Sequence, residues 1–251
     1  MPFVFEFLLT DILVFLLLGS IAAFVIYTLR HEHLRVPWRQ VARRPMAMAS
    51  LVVLATYVII GLMDSVHYRP LLEAPHQGEA VYSNEVLSLL DKAAEPLRTR
   101  SEKTYSAPFA MQAYNRETVE YPDGRHAREY PRLIHGGAHV QRADERAADI
   151  VSLAGKATTA GLGLWTAVLA VFLLFWRRRP ETWLQAVRRL ARGDGDFPWR
   201  TVLATLGILI VLVSNASYLS FYYHIFGTDQ VGQDVFYKSL KSIRTGLVIG
   251  T

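Results

Sequence analysis

Residues that could do chemistry are sparse in this chain, and most of them fail on spacing. His135 and His139 stand four apart in His135-Gly136-Gly137-Ala138-His139. On a helix that interval would put both imidazoles on one face, as some zinc sites require. Two glycines between them favour a loop, and no third ligand is near in sequence, so we expect no metal site. His31 and His33 stand among arginines and read as interfacial residues. Ala154-Gly155-Lys156-Ala157-Thr158 has the Gly-Lys of a phosphate-binding loop. However, Ile150 occupies the place of the first glycine and Ala157 that of the Ser/Thr that holds magnesium, so nucleotide binding is not expected. No nucleophile elbow, zinc-protease or kinase signature is present, and we expect no enzyme. Ser214, Asn215 and Ser217 lie inside an apolar run. At membrane depth such residues mark either a pathway or hydrogen bonding between helices.

The elements that must position these residues are membrane spans. The chain has 251 residues, of which 51% are hydrophobic, and its mean hydropathy is +0.19. The apolar residues cluster into four runs: 12–29, 46–63, 157–176 and 202–223. The first run is 18 residues, about 27 Å as helix, close to a bilayer core of about 30 Å. Residues 1–29 are nearly unbroken apolar sequence whose charges are Glu6 and Asp11, with Asp11 at the rim. A secretory signal would open with a basic region, so this is expected to be an uncleaved helix. The formal net charge is +5, which by itself could suggest nucleic acid. The arginines argue otherwise, because twelve of them are concentrated in two short loops. Arg30, Arg35, Arg39, Arg43 and Arg44 lie in 30–45, and Arg177, Arg178, Arg179, Arg188, Arg189, Arg192 and Arg200 in 177–200. That bias puts both loops on the cytoplasmic side. Within the second loop, Trp183, Leu184, Val187 and Leu190 alternate with arginines as in a short amphipathic helix on the inner leaflet, ended by Gly193-Asp194-Gly195.

Residues 64–156 form a mildly acidic stretch, long enough for a small domain. The chain has no cysteine, so this domain must fold without disulfides. From Ser83, the residues Val86, Leu87, Leu89, Leu90, Ala93, Ala94 and Leu97 share a helical face. Thr118 to Tyr130 reads as a β-hairpin turning at Pro122-Asp123-Gly124. From Asp144 a helical pattern runs into the third span, whose first half is rich in small residues, among them Ala157, Gly161 and Gly163. The fold class is therefore an α-helical transmembrane protein: four spans plus the start of a fifth, with a small α+β extracytoplasmic domain between spans two and three. Its parts are a first hairpin (1–63), the domain (64–156), a second hairpin (157–223), and a final segment (224–251).

The final segment has the most regular spacing. In Gly227-Thr228-Asp229-Gln230-Val231-Gly232-Gln233-Asp234-Val235, Thr228 or Asp229 can cap a helix. Val231, Val235, Phe236, Leu240, Ile243 and Leu247 then recur at helical intervals, interrupted by Lys238, Lys241 and Arg244. This pattern predicts an amphipathic surface helix entering a fifth span at Leu247. Arg244 is expected near the water interface, its guanidinium reaching polar groups while its stem packs on lipid, and Gly232 is expected to allow close approach of a neighbouring helix.

The same stretch resembles permease subunits of the oligopeptide/dipeptide ABC importer family. Those carry G-T-D-x-x-G-x-D-V and then x-R-x-x-L-x-x-G beside their first core helix. Gly227, Thr228, Asp229, Gly232, Asp234, Val235, Arg244, Leu247 and Gly250 fall in that register without a gap. Gln233 and Lys238 depart from it, both at places where the family often has Arg. The match covers about a tenth of the chain. Trp38-Arg39 and Arg43-Arg44-Pro45-Met46-Ala47-Met48 loosely match the family's opening. The resemblance implies a bacterial inner-membrane protein with a second permease subunit, cytoplasmic ATPase subunits and an extracytoplasmic solute-binding protein as partners. It also implies ATP held by the ATPase rather than by this chain. The family's cytoplasmic E-A-A coupling loop has no counterpart, since Glu145-Arg146-Ala147-Ala148 lacks the glycine spacing. The chain is accordingly expected to be the N-terminal portion of a longer permease. A membrane-anchored sensor or receptor is the competing class, because four spans around one outer domain suit it too.

Overall fold

The computed structural model describes residues 3–6, 8–72, 81–120, 126–177, 181–193 and 195–250. The chain opens with a strand, β1 (Phe3–Glu6), where the apolar composition suggested continuous helix. The first span, α1 (Leu9–Arg30), begins three residues earlier than the apolar count predicted. Asp11 explains the start. Its Oδ2 accepts the Leu8 N–H at 3.0 Å and so satisfies a donor left free at the helix entry. Segment 30–45, expected as a loop, is mostly helix α2 (Glu32–Ala42). Leu34, Trp38 and Val41 recur at helical spacing there, and Pro37 removes only one intrahelical bond. The second span, α3 (Pro45–Ser65), starts on a proline, which needs no hydrogen-bond partner at a first helical position.

After α3 the chain forms β2 (His67–Leu72), β3 (Val81–Tyr82) and β4 (Leu87–Ser88). All pairs are antiparallel. β1 lies along β2 with Phe3 opposite Pro70 and Glu6 opposite His67, while β3 and β4 also pair with β2. Arg69 Nη2 donates to Glu6 Oε1 at 3.0 Å across the first pair. The helix expected from Ser83 begins later and is broken in two, α4 (Leu89–Ala93) and α5 (Glu95–Thr99). Ser88 is extended, and its side chain and that of Asp91 cap each other's backbone N–H at 3.0 and 2.9 Å. This capping box fixes the start, and Pro96 restarts the second piece. The hairpin arms are β5 (Glu117–Glu120) and β6 (His126–Glu129), with Thr118 opposite Arg128. The expected turn at Pro122-Asp123-Gly124 lies outside the described residues. Leu90, Leu97, Met111, Leu133, Val140 and Tyr223 are buried in this part of the chain.

A 3-10 turn at Ala143–Glu145 leads into the third span, α6 (Arg146–Trp176). At 31 residues it is about 46 Å long, more than a bilayer core needs. Next come α7 (Trp183–Arg192) and the fourth span, α8 (Trp199–Ser220). α7 is the expected amphipathic helix. Thr182 and Gln185 form its capping box, and Gly193, at φ 75°, closes it in the left-handed conformation. α6 and α8 pack where the small residues are. A Cβ on Gly161 would lie 3.1 Å from Val211 Cα, and one on Gly207 would strike the Trp165 indole. Trp165 Nε1 donates to Leu203 O at 3.0 Å and Ser214 Oγ to Ala157 O at 2.9 Å. Asn215 Nδ2 donates to Thr158 Oγ1 at 3.0 Å and to Val211 O at 2.9 Å. Of the two readings of these polar residues, Ser214 and Asn215 take hydrogen bonding between helices. The last helix is α9 (Val235–Ile249).

Among the described residues, four helices are long and apolar enough to cross a membrane: Leu9–Arg30, Pro45–Ser65, Ala143–Trp176 and Trp199–Ser220. Their large apolar side chains, among them Leu16, Phe24, Leu54, Leu164 and Leu212, are exposed to the surroundings, as a lipid environment requires. The chain is a multi-span α-helical membrane protein with a small antiparallel-sheet domain inserted between its second and third spans. Contacts divide it into two units: residues 1–23, 57–143 and 220–251 form one, and 24–56 with 144–219 form the other.

Candidate functional site

The segment 224–250 belongs wholly to the first unit and makes two junctions there. The first is with residues 102–106. Gly227 has φ 75°, and a Cβ on it would lie 2.1 Å from Ser106 O. Gly232 also has φ 75°, and its Cβ would lie 1.8 Å from Glu102 O. Both positions require glycine twice over, for the left-handed backbone and for the approach of another strand of main chain. The neighbour that Gly232 admits is the Glu102 backbone, not the helix that was expected. Thr228 is buried; its Oγ1 donates to Thr104 O at 2.8 Å and its N–H to Ser106 Oγ at 3.1 Å.

Asp229 and Asp234 divide the work that the sequence assigned to Thr228 and Asp229. Asp229 Oδ1 accepts the N–H groups of Val231 at 3.0 Å and Gln233 at 2.9 Å, which closes a tight turn over 229–233. It caps no helix. The cap of α9 is Asp234, whose Oδ1 accepts from Phe236 N at 2.8 Å and Tyr237 N at 3.2 Å. The turn takes up the residues that the sequence reading placed in the helix, so α9 starts at Val235. Lys238 pairs with Asp229.

Behind the cap lies a buried charge triad. Asp234 Oδ2 is 2.7 Å from His224 Nδ1, and His224 Nε2 is 3.3 Å from Glu102 Oε1. Glu102 also accepts three backbone N–H groups, from Ile134 at 2.8 Å, His135 at 2.7 Å and Gly136 at 3.1 Å. Burial alone would push the Glu102 carboxyl up. The His224 bond and the three N–H groups outweigh it and hold the group at about 2. Burial likewise opposes the charged form of His224, but the bonds to Asp234 and Glu102 raise it to about 9. The imidazole is therefore cationic at neutral pH, held between two carboxylates.

The second junction gathers charges from α1, α3, α4 and α9. Arg244 Nη2 is 3.3 Å from Asp11 Oδ1, and its Nη1 donates to Asp64 O at 3.2 Å. The same guanidinium bonds Thr10 Oγ1. His67 Nδ1 is 2.9 Å from Asp11 Oδ2, and its Nε2 is 3.3 Å from Arg244 Nη1. Lys241 Nζ is 2.8 Å from Asp91 Oδ1, and Tyr237 OH is 2.5 Å from the same oxygen. Burial would raise the Asp91 carboxyl, but Lys241, the Ser88 N–H and Tyr237 lower it. Burial and the same carboxylate raise the Tyr237 hydroxyl. Ser88 Oγ donates to Asp64 Oδ1 at 2.9 Å. Arg244 is thus enclosed by carboxylates, with 15% of its side chain exposed, rather than laid along lipid as expected. Leu247 fits against Gly61 of α3, whose missing side chain leaves the room. Gly250 follows as the C-cap of α9.

Sequence reasoning found Gly227, Thr228, Asp229, Gly232, Asp234, Arg244, Leu247 and Gly250; the fold brings Gly227, Thr228 and Gly232 onto residues 102–106, Asp234 onto His224, and Arg244 and Leu247 onto α1 and α3. It missed the partners Glu102, His224, His67, Asp64, Asp91 and Lys241. Asp11 carried a usable signal, since an acid in the first turn of a span calls for a partner. Glu102 is separated from His224 by 122 positions and carried none. His135 and His139 lie in a loop turned by Gly137, at φ 63°. The arrangement offers buried, mutually satisfied charges that fix one helix end, and among the described residues no three His, Cys, Asp or Glu converge as metal ligands. No family model, no curated protein and no solved structure matches this chain.

Proposed function

We propose that this chain acts as a permease subunit of an ABC importer for peptides or similar solutes. The observation that carries this reading is the placement of the resembling residues. Gly227, Thr228, Gly232 and Asp234 seat the turn before α9 on residues 102–106, and Arg244 and Leu247 seat α9 itself against α1 and α3. Such seating is what the entry to a transporter's core helix needs. In this reading the basic segments 30–45 and 177–200 face the cytoplasm of a bacterial inner membrane. Residues 64–156 then face outward, beside the mouth of the path, toward a solute-binding protein or its cargo. ATP is bound by a separate ATPase subunit, and a second permease subunit completes the pore. The test is co-purification from native membranes with an affinity tag on this chain, together with uptake of a labelled peptide by cells with and without its gene. Recovery of an ATPase subunit and loss of uptake are expected. Unchanged uptake with no ATPase recovered would turn the assignment to a membrane-anchored sensor or receptor.

A further inference from the structure

His135 and His139 share a wall outside the junctions of α9. They open onto a cavity of about 250 Å³ whose walls also include Arg100, Ile134, Phe221 and Tyr222. Every polar side chain in this group can donate a hydrogen bond, and none is a carboxylate. Arg100 is fixed in place. It donates to the Phe221 carbonyl through Nη1, and its guanidinium carbon lies 5.8 Å from the centre of the Phe221 ring. Its other N–H groups have no protein acceptor among the described residues. The carboxylate nearest in the bonding network, Glu102, is 2% exposed and already satisfied by His224 and three backbone N–H groups, so it does not present its charge here. The His139 ring packs edge-on to Tyr222 and Tyr223 at 5.0 and 5.6 Å, which holds it at the cavity mouth.

Position selects among anions. Phe221 and Tyr222 directly follow Ser220, the last residue of α8. α8 has 22 residues and is about 33 Å long, against a hydrocarbon core of about 30 Å. Its end therefore reaches the level of the lipid headgroups, where aromatic residues with a wet edge concentrate. Phe221 is 47% exposed and Ile134 59%, so the rim is apolar where acyl chains would pass and cationic within. We infer that the cavity rimmed by Arg100, His135, His139, Phe221 and Tyr222 binds the phosphodiester of a membrane phospholipid. Arg100 supplies the charge and a planar pair of donors suited to phosphate oxygens. The His135 imidazole adds a donor, His139 shapes the mouth, and Phe221 and Ile134 line the glycerol and upper acyl region.

The experiment is to purify the full chain in mild detergent and count retained phospholipid by native mass spectrometry. Wild type is compared with Arg100→Gln, His139→Gln and, as a control in the same domain, Lys103→Gln. One phospholipid per chain is expected in wild type and in K103Q, with occupancy lowered about tenfold in R100Q, the loss of a charged hydrogen bond. H139Q should lower it less. H139Q leaves the Arg100 bond to Phe221 intact, so it carries the test if R100Q does not fold. Equal retention in all four proteins overturns the inference. Binding of inorganic phosphate by delipidated wild type, with no lipid retained beforehand, overturns it in favour of a soluble anion.

Discussion

Asp234 holds two partners with one carboxylate: Oδ2 lies 2.7 Å from His224 Nδ1, while Oδ1 accepts the first free N–H groups of α9. The start of the last helix is thereby tied to a buried cation. Asp234→Ala removes a cap worth about 1 kcal/mol and strips a buried charge of a partner, a loss of about 3–5 kcal/mol. Asp229→Ala opens only a surface turn and should cost about 1 kcal/mol. Thermal unfolding of both variants in detergent checks the order. A larger loss for D229A would return the capping role to Asp229.

The triad sets a pH window. His224 is raised to about 9, so its contribution is complete below the ordinary histidine value near 6.5 and is lost as pH climbs through 9. Glu102 is depressed to about 2, so its contribution is complete above the ordinary value near 4.5 and is lost as pH falls toward 2. Melting temperature should peak between these limits and decline on both sides. In His224→Gln the alkaline decline should flatten, and a wild-type alkaline limb retained in that variant would show that another group controls it.

Gly232→Ala should be severe. The left-handed backbone costs a side chain about 1–3 kcal/mol, and the added Cβ would overlap the Glu102 carbonyl. Gly155→Ala, in α6 with nothing within 4 Å, should be neutral or stabilising. Limited proteolysis near residue 232 reads the difference, and equal resistance in the two variants would contradict it.

Arg244→Leu removes the guanidinium that reaches both Asp11 and Asp64, leaving Asp11 with His67 and Asp64 with Lys241, and a loss of about 3 kcal/mol, the low end for a broken buried pair, is expected. Lys238→Ala breaks a pair in which the lysine is 45% exposed, a loss of about 0–1 kcal/mol. If the two variants survive the same heat step equally, Arg244 is not the keystone of its cluster.

Side assignment can be read by labelling, because the native chain contains no cysteine. An impermeant thiol reagent on intact cells should label a cysteine placed at Arg116 and spare one at Arg189. The reverse pattern would invert the orientation proposed from the arginines.

What was legible in the sequence was set by local physics. The four apolar runs, the hairpin arms around 118–130 and the amphipathic α7 with its glycine stop all follow from periodicity and capping within a dozen residues. Three errors share one cause. The N-terminal strand, the late start of the helix after Ser83 and the late start of α9 each depend on a partner far along the chain. β1 exists because β2 lies beside it, and Ser88 stays extended while it pairs with His67. Segment 228–234 turns because residues 102–106 receive it. Composition could count the charges of Asp11, Asp64 and Arg244 but not bring them together.

The pairing of β1 with β2 also carries a parity rule. Residues 3–6 and 67–70 are hydrogen-bonded neighbours, and between them lie two spans, α1 and α3. Residues 102–106 and 224–234 are bonded as well, and between them lie two more, α6 and α8. Each bonded pair forbids an odd number of crossings between its members. A nascent chain that skipped or inverted one span would strand β1, or the 228 turn, on the wrong side of the bilayer from its mate. The first strand must also wait until the second span has emerged before it can pair, so closure of the sheet is a checkpoint on insertion already completed.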